Sequence, residues 1–146
     1  MMQTFRTHSE DETISLGVNF AMRITHGSVV ALFGDLGTGK TRFIKGICRG
    51  LGVQEHVASP TFTLLNEYSG KKLNIFHFDF YRIKTIAELD EIGFDEYLFG
   101  EGVCLIEWAD RVEKILPSNR FDVHLNLGED ENTREITVSE IVEVAA

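Results

Sequence analysis

The spacing of apolar positions changes several times along the chain, and each change marks an element. Residues 3–7 read as a short strand. Ser9 and Glu12 then form a capping-box signature. Ile14, Gly17, Val18, Ala21 and Ile24 follow at helical spacing, which predicts a helix ending near His26-Gly27. Ser28–Phe33 is a short apolar run with β-branched residues and glycine at both ends. That pattern suits a strand buried on both faces, as in a parallel sheet. Gly34 to Gly39 is too glycine-rich for an element interior. From Thr41, residues Phe43, Ile44, Ile47 and Leu51 return at helical period, and Gly50 or Gly52 ends the helix.

Farther on, Val57 to Thr63 reads as an ordered loop. Leu64–Tyr68 and Lys72–Phe80 read as two strands joined near Ser69-Gly70. Thr85 to Ile92 predicts a short helix capped by Thr85, with Gly93 after it. Gly102–Glu107 is a second buried strand, and Val112–Leu116 a brief helix closed by Pro117. Phe121–Leu127 and Arg134–Ile141 predict an antiparallel pair joined by the turn Gly128–Asn132. The alternation of buried strands and helices predicts an α/β fold, with a mixed, mostly parallel sheet flanked by helices. With neither repeat nor linker, residues 1–146 are expected to form a single domain.

Charge and composition narrow the function. The chain has 14 basic and 23 acidic residues, a net charge of −9. Nucleic-acid backbones need clustered Lys and Arg, so unaided nucleic-acid binding is not expected. Service to a nucleic-acid pathway through a partner stays open. Cys48 and Cys104 lack metal-ligand spacing and read as small buried thiols. No apolar run reaches a membrane span, and the start lacks the apolar middle of a secretion signal. The expected location is cytoplasmic, away from any membrane.

The chemistry lies in Gly34-Asp35-Leu36-Gly37-Thr38-Gly39-Lys40-Thr41, a full match to G-x-x-x-x-G-K-[ST]. A polyphosphate needs many donors at close range, and backbone N–H groups supply them only where the chain can curl around it. Glycines permit that curl and leave no Cβ in the way. The loop then feeds a helix N-terminus, which favours anions. Lys40 adds a positive charge for the β and γ phosphates, and Thr41 a hydroxyl for Mg2+. Arg42 completes the nucleotide-binding candidates. The buried strand before and the amphipathic helix after are the context that a P-loop demands.

A P-loop also needs a carboxylate near its Mg2+, usually at the end of a neighbouring strand. Val103-Cys104-Leu105-Ile106-Glu107 has the shape of such a strand, with Glu where Asp is more usual. Asn74–Asp79 ends another, less cleanly apolar. Glu107 is assigned to Mg2+, directly or through water. Asp79 is assigned to orienting the attacking water or to the outer metal shell. The two roles can be exchanged, and either acid can instead be a solvated strand end. Thr61, in Ser59-Pro60-Thr61-Phe62, is a hydroxyl that can reach the γ phosphate, as switch loops do. Arg82 and Arg111 are accessory candidates or surface ion pairs, and Trp108 is packing, lid or partner contact. Arg42, Lys45 and Arg49 make one basic stripe, read as a solvated or docking face. The five histidines have no metal or triad spacing and read as bystanders.

Four motifs in order, Gly34–Thr41, Ser59-Pro60-Thr61-Phe62, His77-Phe78-Asp79-Phe80-Tyr81-Arg82 and Leu105-Ile106-Glu107-Trp108, closely resemble the TsaE family. Gly93-Phe94-Asp95-Glu96-Tyr97 adds to the likeness, which covers residues 9 to 117 and shows no departure in the four motifs. The resemblance implies a compact P-loop ATPase of tRNA threonylcarbamoyladenosine synthesis. It implies the partners TsaB and TsaD, which transfer a threonylcarbamoyl group to adenosine 37 of ANN-decoding tRNAs. The ATPase itself does not perform that transfer; its hydrolysis resets the complex, and tRNA is met only there. Carried over, Lys40 holds phosphate, Thr41 and Glu107 hold Mg2+, and Asp79 is needed for hydrolysis of ATP. The adenine is implied near Ser9–Thr13, with Asp11 as candidate. The alternatives are a free-standing small-molecule kinase and a nucleotide-dependent regulatory switch. The first needs an acceptor pocket and a lid, for which little chain remains. A guanine-reading switch typically carries Asn-Lys-x-Asp, which this sequence lacks.

Overall fold

A computed structural model describes residues 2–143; the outermost residues of the expected domain, 1 and 144–146, lie outside them. The strands are β1 (Met2–Thr7), β2 (Val29–Phe33), β3 (Leu65–Ser69), β4 (Asn74–Asp79), β5 (Val103–Glu107), β6 (Arg120–Leu127) and β7 (Arg134–Ile141). They form one sheet in the order β1-β7-β6-β2-β5-β4-β3. The β6-β2-β5-β4 centre is parallel, and the pairs β3-β4, β6-β7 and β1-β7 are antiparallel. Strands β1, β2, β4, β5 and β6 therefore run one way, which makes the mixed sheet mostly parallel.

The helices are α1 (Glu10–Phe20), α2 (Lys40–Gly50), α3 (Ala87–Ile92) and α4 (Phe94–Leu98). One face of the sheet, with Val30, Leu32, Ile75, Val103 and Leu105, packs on Phe43, Ile44 and Ile47 of α2 and Phe20 of α1. The other, with Ala31, Phe78, Cys104 and Ile106, packs on Leu89, Phe94 and Leu98. All five residues of β2 and of β5 are buried, as the unbroken apolar runs require of strands covered on both faces. Helices α1 and α2 meet almost backbone to backbone. A Cβ on Gly46 would lie 2.0 Å from the Ile14 carbonyl oxygen, and one on Gly17 would lie 2.3 Å from that of Phe43.

Local chemistry explains where the elements depart from the sequence pattern. Helix α1 begins as expected: Ser9 Oγ accepts from the Glu12 N–H at 3.1 Å, and Glu12 Oε1 accepts from the His8 N–H at 2.8 Å. It stops at Phe20, however, and passes through a 3-10 turn over Ala21–Arg23 rather than continuing to Gly27. Thr85 does not cap α3. The Glu88 N–H goes to the Thr85 carbonyl at 3.2 Å rather than to its hydroxyl, and the Glu88 carboxylate reaches back to the N–H groups of Lys84 at 2.6 Å and Thr85 at 3.0 Å. Gly93, at φ 70°, ends α3 and starts α4. Five residues are too few for a helix to persist alone; α4 is held by Phe94, which meets Phe78 and Phe80 edge-on at 4.9 and 5.1 Å. The helix expected over Val112–Leu116 is instead a 3-10 turn, Glu113–Ile115, preceded by another, Ala109–Arg111.

Cys48 and Cys104 lie on opposite faces of the sheet, fully buried and unpaired. Burial pushes both thiols up to about 12. Since the thiolate is the reactive form, neither should be alkylated by iodoacetamide at pH 8 until the protein unfolds. Counting labelled thiols by mass spectrometry, with and without denaturant, checks this.

Candidate functional site

Strands β2, β4 and β5 end side by side, and the loops that follow them surround a cleft of about 660 Å3. This is the edge of a parallel sheet where ligand sites form. The floor is the turn between β2 and α2. Gly34 stands at φ 151°, and a Cβ there would fall 2.6 Å from the Leu125 carbonyl oxygen. Gly39, at φ 100°, is the N-cap of α2. A side chain would be strained at both positions, so the loop's path depends on glycine. Thr38 Oγ1 donates to the Asp35 carbonyl at 2.8 Å and braces the turn.

Lys40, 5% exposed, extends back under this turn. Its Nζ donates to the carbonyls of Gly34 and Asp35, and it sits 4.1 Å from the centre of the Trp108 ring, a cation–π distance. Burial pulls its ammonium below the ordinary value, against Glu107, Asp79, Asp110 and Asp35, whose charges raise it. Among the described residues its hydrogen bonds go to neutral carbonyls. A desolvated cation so placed favours an anion from outside.

The two carboxylates are cross-strand neighbours, Asp79 on β4 opposite Glu107 on β5. Both are nearly inaccessible, at 2% and 3%. Glu107 Oε1 accepts from Thr41 Oγ1 at 2.9 Å, and its Oε2 meets His77 Nε2 at 2.7 Å. Asp79 Oδ2 accepts from Ser59 Oγ and from Thr61 Oγ1, the latter at 3.1 Å, while Oδ1 accepts from the Tyr81 N–H at 2.9 Å. Among the described residues no three His, Cys, Asp or Glu side chains group as a metal site. Thr41 and Glu107 offer hard oxygens and leave most coordination positions to other ligands. That fits Mg2+, which keeps waters and substrate oxygens and takes few protein groups.

The sequence candidates separate into three groups. Leu36, Gly37, Gly39, Lys40, Thr41, Arg42, Thr61, Asp79, Arg82, Glu107 and Trp108 line the cleft. Gly34, Asp35 and Thr38 shape its floor. Asp11 and Arg111 are exposed and do not line it; from the first turn of α1, Ser9, Glu10 and Thr13 do so instead. Arg42 pairs with Glu10 at 3.4 Å. Arg82 lies 4.4 Å over the ring of Phe62, which is 81% exposed. Trp108 holds φ 58° and meets Tyr81 edge-on at 4.7 Å.

Sequence reading missed several residues. His77 is no bystander, since it holds Glu107. The β6–β7 turn reaches the cleft through Glu131 and Asn132, and Arg134 Nη2 donates to the Gly37 carbonyl at 3.1 Å. No motif marks these positions, which only the sheet order brings near the loop. For His77 a signal existed: an imidazole two residues before Asp79 on a strand must share its face.

The family described as "Threonylcarbamoyl adenosine biosynthesis protein TsaE" matches residues 7–136. The tRNA threonylcarbamoyladenosine biosynthesis protein TsaE of Bacillus subtilis is 42% identical over 138 residues, covering 94% of this chain and 85% of that one. The protein of that name from Treponema pallidum is 43% identical over 133 residues, covering 91% and 97%. The crystal structure of YdiB from Bacillus subtilis superposes with a TM-score of 0.84 at 37% identity, covering 97% of this chain and 87% of that one. Among the described residues no helix is long and apolar enough to cross a membrane. Family match, relatives and fold agree, and the chain belongs to the TsaE family.

Proposed function

We propose that this chain is a Mg2+-dependent ATPase serving threonylcarbamoyladenosine synthesis on tRNA. It acts with TsaB and TsaD at adenosine 37 of ANN-decoding tRNAs, and reaches tRNA only through that complex. One observation carries the ATPase reading: a glycine-shaped turn, a buried lysine and two buried strand-end carboxylates converge on one cleft. The pathway assignment rests on family membership.

Each group has a role set by its position. Backbone N–H groups of the turn and the α2 N-terminus receive the phosphate chain. Lys40 Nζ exchanges its neutral carbonyl partners for phosphate oxygens, which favour its charged form. Thr41 and Glu107 would hold Mg2+, which supplies charge neutralisation at the phosphates. Asp79, whose Oδ2 is held by the Ser59 and Thr61 hydroxyls, orients the attacking water and accepts its proton at Oδ1, which among the described residues takes only the Tyr81 N–H. Trp108 covers Lys40 and keeps water from it. The net charge of −9 suits a chain that leaves the tRNA contact to partners.

The test is phosphate release by the chain alone, with the TsaB–TsaD pair, and with the pair plus tRNA. Turnover should rise when the pair is added; equal rates throughout would remove the subunit role. A thermal shift separates the nucleotides first. ATP at a hundred times its dissociation constant should stabilise the fold by about 2.7 kcal/mol, with no comparable shift for GTP. Stabilisation by GTP alone would favour the regulatory switch.

A further inference from the structure

His77 is fully inaccessible, and burying an imidazole is costly unless both nitrogens are paired. Both are. Nε2 meets Glu107 Oε2 at 2.7 Å, and Nδ1 meets the Tyr68 hydroxyl at 3.2 Å. The ring proton can be assigned by elimination. A carboxylate can only accept, so the proton between the ring and Glu107 sits on Nε2. The Tyr68 proton has two acceptors in reach, His77 Nδ1 and the Ala58 carbonyl at 3.1 Å. The carbonyl, with two lone pairs, also takes Asn66 Nδ2 at 3.0 Å. The Tyr68 hydroxyl lies between Nδ1 and the Ala58 carbonyl and links the imidazole to the loop at Ala58. The Tyr68 oxygen in turn accepts from the Ala58 N–H at 3.3 Å. Every donor in the chain finds an acceptor, and no buried side-chain polar atom is left without a partner among the described residues.

We propose that His77 and Tyr68 are positioning residues that fix the Glu107 carboxylate and tie it to the loop carrying Ser59 and Thr61. Ala58 precedes Ser59 directly, and Ser59 and Thr61 hold Asp79. Both carboxylates are thus referred to the same loop, Asp79 by hydroxyls and Glu107 by way of Ala58, Tyr68 and His77. Groups that orient a metal's ligands from behind typically matter by roughly 10- to 100-fold in metal affinity or activity. The proposal rests on the Mg2+-ATPase reading and adds two residues that do not line the cleft.

Intrinsic fluorescence of Trp108, the single tryptophan, reports ATP binding with and without Mg2+. Tyr68→Phe removes one oxygen and keeps the ring. It should raise the Mg2+ concentration needed for half-maximal tightening of ATP binding roughly 10- to 100-fold, leaving Mg2+-free ATP affinity unchanged. His77→Leu should do the same. His77→Gln, whose amide N–H can still reach Glu107, should be displaced less than His77→Leu. A wild-type Mg2+ requirement in Tyr68→Phe and His77→Leu would overturn the proposal. So would an equal loss of affinity with and without Mg2+, which is the mark of general damage. Wild-type protein showing no Mg2+ effect on ATP binding would instead overturn the ATPase reading, and the proposal with it.

Discussion

Asp79→Asn should reduce ATP turnover roughly 10²- to 10⁴-fold, the range attributed to a positioned general base, with ATP affinity held within a few-fold. The substitution is close in shape. Asn can still accept from the Tyr81 N–H through its remaining oxygen, where Asp79 Oδ1 now does so at 2.9 Å. On the other side an amide replaces an anionic acceptor, so the Ser59 and Thr61 hydroxyls must turn and accept rather than donate. The loop stays while the negative charge that would draw a proton from water is lost. Single-turnover phosphate release alongside an equilibrium ATP titration measures the two effects separately. Turnover within tenfold of wild type would transfer the base role to Glu107.

Lys40→Met should weaken ATP binding by roughly ten- to a hundredfold, from a charge-assisted bond of about 1.5–3 kcal/mol. Turnover should fall further, by roughly 10²- to 10³-fold, as when one preorganised charge-stabilising group is removed. Methionine keeps an unbranched, flexible side chain of similar length, which confines the change to the ammonium that sits 4.1 Å from the Trp108 ring. Burial disfavours that ammonium in the free protein, so an arriving triphosphate gains a cation that solvent screens poorly. Trp108 fluorescence in the variant gives the affinity, and phosphate release the rate. Wild-type affinity in Lys40→Met would mean that the turn holds something other than polyphosphate.

Short-range signals account for what the sequence revealed. Strands β2 and β5 were legible because burial on both faces demands an unbroken apolar run, and α2 because one amphipathic stripe repeats from Phe43 to Leu51. Helix α4 was not legible: its five residues carry no period, and its stability comes from Phe94 against β4. Thr85 had the right type for a cap, but the Glu88 N–H bonds its carbonyl and its hydroxyl caps nothing. The P-loop and the acids at 79 and 107 were visible because each belongs to a contiguous motif. Their connections were not. His77 reaches Glu107 across 30 positions, and Arg134 reaches Gly37 across 97, distances over which spacing carries no information.

The glycine seam between α1 and α2 bears on how the cleft can move. At Gly46 and Gly17 main chain rests against main chain, with no side chain between them to change rotamer and let one helix slide. The first turns of both helices border the cleft, so this half of its wall behaves as a single rigid jaw. Any opening that admits or releases nucleotide then falls to the rest of the lining, where Tyr81 leans on Trp108 and Arg82 on Phe62 through side-chain contacts that can break and re-form.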